Sequence, residues 1–180
     1  MENIKDLHID NVEYKLSNMK VILFSFLFSS LSLATIWVTH QFGLAGPVFL
    51  PMHFFILIAA LSFGWRVGLL TGILVPIMSY FQSGMPILPI LPRIILEVTA
   101  YGFFVGIFRE KLKFNMIISL LLAMIIGRIF SGLGGLVFNG ISFFGHIFSI
   151  IKVGFLGIIL QFLLVIPISK FILKWMHLKN

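Results

Sequence analysis

GPVFLPMHFFILIAALSFGWRVGLLTGILVPIMSYFQSGMPILPILPRIILEVTAYGFFVGIFR, residues 46–109, decides the fold. Three apolar runs follow one another with only Gly and Pro punctuation between them, and the last run holds one compact charged pair, Arg93 and Glu97. A charged side chain at hydrocarbon depth costs roughly 2.5–3.5 kcal/mol on insertion scales, so a pair kept there asks for a functional explanation. The whole chain follows the same composition: of 180 residues, 59% are hydrophobic and 11% charged. Too few polar groups remain to cover a soluble surface. The expected fold is an all-α membrane protein, and spans of about 20 residues leave room for roughly six in a single bundle.

Working outward from this stretch, residues 1–19 read as a polar leader, 20–174 as the transmembrane domain and 175–180 as a basic tail. Residues 1–20 hold four of the six acidic residues, too acidic a start for a secretory signal. The expected spans are 20–38, 52–64, 67–81 with a kink at Pro76, one from Arg93 to the charged loop Arg109–Lys113, then 115–138 and 150–173. QSGMPILPILP, residues 82–92, contains three prolines and cannot be regular helix. Asn139 and His146 are expected in a loop between the last two spans. Placing the N-terminus in the cytoplasm puts ten of the 13 basic residues on that side and makes both termini cytoplasmic, leaving Arg93, Arg128 and Lys152 elsewhere.

The available chemistry favours binding over catalysis. Glu97 is the one carboxylate at membrane depth, so paired-carboxylate acid–base work lacks a second member. The five histidines show no metal-ligand spacing, there is no Cys, and no phosphate-binding G-x-x-x-x-G-K-[ST] loop is present, so neither a metal nor a cofactor is expected. Basic charge is read as topology, not as nucleic-acid binding. Arg93, Glu97 and Tyr101 stand at i, i+4 and i+8 and share a helical face; Arg128, Gly132, Gly135 and Asn139 form a second stripe with polar ends and an empty middle. Counting from the cytoplasmic ends, Glu97 lies 12 residues above Arg109 and Arg128 lies 13 above Asn115, roughly 18 and 20 Å. A Glu97–Arg128 ion pair between neighbouring helices is therefore expected. Gln82, His53 and Lys152 are the further candidates for the same pocket, with Lys152 preferred over Gln161, which faces the opposite side of the last helix. The same cluster also reads as a polar clamp between helices.

The series P-M-H at 51–53, G-x-x-x-G at 68–72, G-M-P at 84–86 and P-R-x-x-x-E-x-x-x-Y-G at 92–102 resembles the substrate-binding S component of energy-coupling-factor (ECF) vitamin transporters. That resemblance implies six helices with cytoplasmic termini in a prokaryotic cell membrane. It also implies a site near the outer face for a water-soluble vitamin or similar micronutrient, a transmembrane coupling subunit and two ATPase subunits. Members carry A-x-x-x-A motifs on the first helix that contact the coupling subunit; here the corresponding small residues are Ser25, Ser29, Ser30 and Ala34. Two other classes fit the hydropathy: a scaffold of a cell-wall elongation complex, similar to MreD, and a membrane-embedded protease or transferase. Arg93, Arg128 and Lys152 against Glu97 leave an excess of positive charge in the outer half. That excess predicts a ligand carrying a carboxylate, such as nicotinate or pantothenate, unless Lys152 snorkels to the interface and Arg93 meets headgroups.

Overall fold

The computed structural model describes residues 16–41 and 50–177. Most of the expected leader (1–15), most of the first loop (42–49) and the end of the expected tail (178–180) lie outside the described residues. Among the described residues the fold is all helical: α1 Asn18–Gln41, α2 Pro51–Phe63, α3 Trp65–Ser83, α4 Leu91–Glu110, α5 Met116–Asn139 and α6 Phe143–His177.

The boundaries follow local chemistry. Pro51 and Pro92 sit in the first turns of α2 and α4, where a missing N–H has no helical partner to lose. Asn115 caps α5 by accepting the Ile118 N–H at 2.7 Å. Gly84 and Gly140 end α3 and α5 at φ +70° and +63°, a backbone region that glycine enters without a Cβ penalty. One expectation is corrected at the sixth helix, which begins at Phe143 instead of 150. Only residues 140–142 link it to α5, and His146 belongs to its first turns, its N–H bonded to Ser142 O at 2.9 Å.

Four helices are long and apolar enough to cross a bilayer, over residues 18–39, 91–110, 116–139 and 143–176. At 13 residues, α2 spans roughly 20 Å, short of a hydrocarbon core of about 30 Å. It is hydrophobic on every side, and Ile56 to Leu61 are buried completely or nearly so, because α2 packs against α1, α3, α4 and α6 together. A helix that is apolar all round belongs inside. Phe63 from α2 stacks on Phe24 of α1 at 4.2 Å between ring centroids and tilts against Phe28 at 5.4 Å.

Glycine sets the α3–α4 crossing. A Cβ on Gly68 would overlap the Gly102 carbonyl, one on Gly102 would overlap Gly68, one on Gly72 would meet Thr99 and Val98, and one on Gly106 would overlap Trp65. The G-x-x-x-G of α3 thus meets a second such spacing, Gly102 and Gly106, on α4. Such small-residue pairs let backbones approach in lipid, where no hydrophobic force draws helices together.

The small face of α1 divides. Ser25, Ser29 and Ser32 are buried inside the bundle: Ser25 Oγ lies 3.5 Å from Val67 O, and Ser32 Oγ donates to Met52 O at 3.2 Å. Ser30 and Ala34 are exposed.

The two ends of the bundle differ in chemistry. At one end the start of α1, the start of α3 and the end of α4 meet: Arg66 donates to Asn18 Oδ1, and the Trp65 N–H donates to Glu110 Oε2 at 3.2 Å. An acid at a helix N-terminus is favourably placed against the helix dipole. Lys20, Arg66, Arg109, Lys111 and Lys113 gather at this end. At the opposite end the starts of α2, α4 and α6 meet the end of α5, and the polar cluster is built there.

Candidate functional site

Glu97 is the centre of the cluster, 6% exposed on α4 and hydrogen-bonded through both carboxylate oxygens. Oε1 accepts from Arg128 Nη1 at 2.6 Å and from Tyr101 Oη at 3.1 Å, and Oε2 accepts from Ser131 Oγ at 2.6 Å. His53 Nε2 stands 3.8 Å from Oε1. The Glu97–Arg128 pair expected from depth counting is therefore formed. Helical spacing explains the supply of donors: Tyr101 is i+4 from Glu97 on α4, and Ser131 is i+3 from Arg128 on α5.

Tyr101, 1% exposed, braces the cluster from below. Its ring lies 5.1 Å from the His53 ring and 5.9 Å from the Arg128 guanidinium carbon, a cation–π contact. A Cβ on residue 127 would overlap this ring, so α5 can approach only with glycine there.

Arg93 sits one turn away from Glu97 toward the end of the bundle and turns to α6. Its Nη1 lies 2.5 Å from His146 Nε2. Ser131 Oγ is 3.4 Å from the same nitrogen, which joins the two halves of the cluster. The glycine stripe on α5 is not an empty cavity: Gly132 receives Phe143 and Ile147, Gly134 receives Arg93, and Gly135 receives His146. Asn139 closes the far end, its Nδ2 donating to Pro89 O at 2.7 Å and tying the α3–α4 loop to the end of α5.

Two candidates stand apart. Gln82 is exposed at the end of α3, outside the cluster. Lys152 is exposed on α6, and its opposite number Gln161 is the buried residue, at 2% exposure. Lys152, preferred from the sequence, is thus the outward-facing one of the two, and Gln161, 15 residues or roughly 22 Å along α6 from His146, lies far from the cluster too. With Lys152 turned out, the charged groups of the cluster are Arg93, Arg128 and Glu97. Sequence reasoning did not assign Ser131, whose signal was its i+3 spacing from Arg128, and it read His146 as a loop residue.

The arrangement supplies donors beyond those it uses. Glu97 accepts three hydrogen bonds, whereas the donors Arg128 Nε and Nη2 and Arg93 Nε, and the two ring nitrogens of His53, one a donor and one an acceptor when neutral, are buried without a hydrogen-bond partner among the described residues. Buried donors left unmade cost about 1–3 kcal/mol each. Among the described residues no group of His, Cys, Asp and Glu could hold a metal ion. A family model described as "ECF transporter, substrate-specific component" matches residues 16–174. Comparison with curated proteins and with solved structures finds no match.

Proposed function

The chain belongs to the substrate-specific components of ECF transporters, and from that premise we propose that it captures a water-soluble vitamin or similar micronutrient at the Glu97–Arg128 cluster. Components of this family work with a membrane coupling subunit and ATPases. The chain is a multi-pass membrane subunit, and in this reading two ATPases drive uptake across a prokaryotic cytoplasmic membrane through the coupling subunit. All six helices cross the bilayer, with α2 shielded inside the bundle so that its length need not match the lipid. Both termini lie in the cytoplasm, which sets the basic end inward and the cluster near the outer face.

The observation that carries this reading is the set of buried, unpartnered guanidinium N–H groups of Arg93 and Arg128 beside the one carboxylate, Glu97, at the end of the bundle away from the basic loops. Tyr101, Ser131, His53, Arg93, His146 and Asn139 complete the site. The exposed Ser30 and Ala34 present the small-x-x-x-small face to the coupling subunit. Co-expression with a coupling subunit and its ATPases tests the role: the chain is expected to co-purify with them, and a chain recovered only alone would contradict it.

Orientation is tested separately. A cysteine at Ser83, exposed beside the cluster end, is expected to react with an impermeant reagent in intact cells, and one at Lys111 only after permeabilisation. Labelling of Lys111→Cys from outside would invert the topology and place the site at the cytoplasmic face.

A further inference from the structure

Arg128 is the least satisfied charge in the cluster. Its side chain is 9% exposed, and the guanidinium spends only Nη1 on Glu97. The other edge, Nε and Nη2, is buried with no partner among the described residues. Those two N–H groups are parallel and coplanar, the geometry that donates to two oxygens of one carboxylate. Lysine could not offer it. Charge points the same way: Arg93 and Arg128 against Glu97 leave one positive charge when both imidazoles are counted neutral. An uncompensated charge in a buried site is costly, and a monoanion removes the excess where a neutral ligand would not. His53, buried at 8% exposure with both ring nitrogens unpartnered, stands on the other side of Glu97 Oε1 and can bond a second polar group of the same ligand.

Building on the substrate-site reading above, we propose that the ligand is a small carboxylate whose two oxygens bond the Nε–Nη2 edge of Arg128. Glu97 holds the opposite edge and fixes the plane of the fork, and Ser131 and Tyr101 fix Glu97 in turn. Arg128 is then the residue that separates acids from their uncharged analogues. A carboxylate is favoured over a phosphate monoester because a dianion would leave the site negative.

The test offers the detergent-purified wild-type protein an equimolar mixture of water-soluble vitamins together with matched pairs, nicotinate with nicotinamide, pantothenate with panthenol and biotin with its amide. Retained compounds are identified by mass spectrometry and titrated one at a time. The expected result is retention of a carboxylate that outbinds its uncharged analogue by about tenfold or more, the order expected of a bidentate charge-assisted contact. Arg128→Lys should remove that preference while keeping the charge. Retention of only neutral or cationic compounds, or equal affinity for acid and analogue, overturns the carboxylate proposal and leaves the substrate-site reading intact. So does a co-purified phospholipid occupying the site, or an Arg128→Lys variant with unchanged preference. Retention of nothing counts against both. The acid-to-analogue ratio is measured on the wild type, so the result does not depend on the variant folding.

Discussion

Glu97→Ala is expected to cost the ligand-free bundle about 3–5 kcal/mol, the range found when one member of a buried ion pair is removed. The loss comes less from the missing attraction than from what is left behind. Arg128 Nη1, Tyr101 Oη and Ser131 Oγ all donate to this one carboxylate, and of the three only Ser131 has a second polar neighbour in the cluster, His146 Nε2 at 3.4 Å. Burial keeps water from replacing it, since Glu97 is 6%, Arg128 7% and Ser131 0% exposed. Removing both charges together should be gentler. A Glu97→Gln, Arg128→Gln double variant keeps an amide acceptor for Tyr101 and Ser131 and leaves the net charge of the cluster unchanged, so it is expected to melt above Glu97→Ala in the same detergent. Wild-type melting of Glu97→Ala would mean that the pair is not buried as described.

Ala34→Trp is expected to abolish ATP-driven uptake while leaving ligand affinity within about twofold. Ala34 is exposed, four residues from the exposed Ser30, on a face made small amid the bulky Leu27, Leu31 and Trp37. An indole there keeps a partner helix at a distance without touching the cluster, because close approach in lipid depends on small residues at the contact. Ser29→Trp is the control. Ser29 is fully buried within the bundle, and an overpacked interior costs about 1–3 kcal/mol or more, so this variant should lose stability and binding together. Uptake by Ala34→Trp at the wild-type rate would remove the coupling role from this face.

Much of this was legible in the sequence because lipid imposes simple rules. Long apolar runs broken by Gly and Pro fixed the first five helices to within a few residues, though not the start of α6, and a count of turns from each charged loop put Glu97 and Arg128 at one level. What stayed hidden was rotation. Spacing shows that Ser25 and Ser29 share a face, and that Lys152 opposes Gln161, but not which face turns inward; that is set by what α2 and α5 present. His146 was missed for a related reason. Its segment was expected as a loop before a span starting at 150, yet α6 begins at Phe143 and its first turns fill the space over Gly132 and Gly135. The glycine stripe on α5 looked like room for a ligand and proved to be room for a helix. Ser131 carries no signal as a residue type and acquires its role only when α5 meets α4.

The central claim is that the Glu97–Arg128 cluster holds the substrate of an ECF transporter component. Native mass spectrometry tests it most directly, comparing wild type with the Glu97→Gln, Arg128→Gln double variant after exposure to the same vitamin mixture. The account predicts one small molecule bound per wild-type chain and none on a double variant that still elutes as a folded species. A folded double variant carrying the ligand as fully as wild type, or a wild-type chain that stays bare, would contradict it.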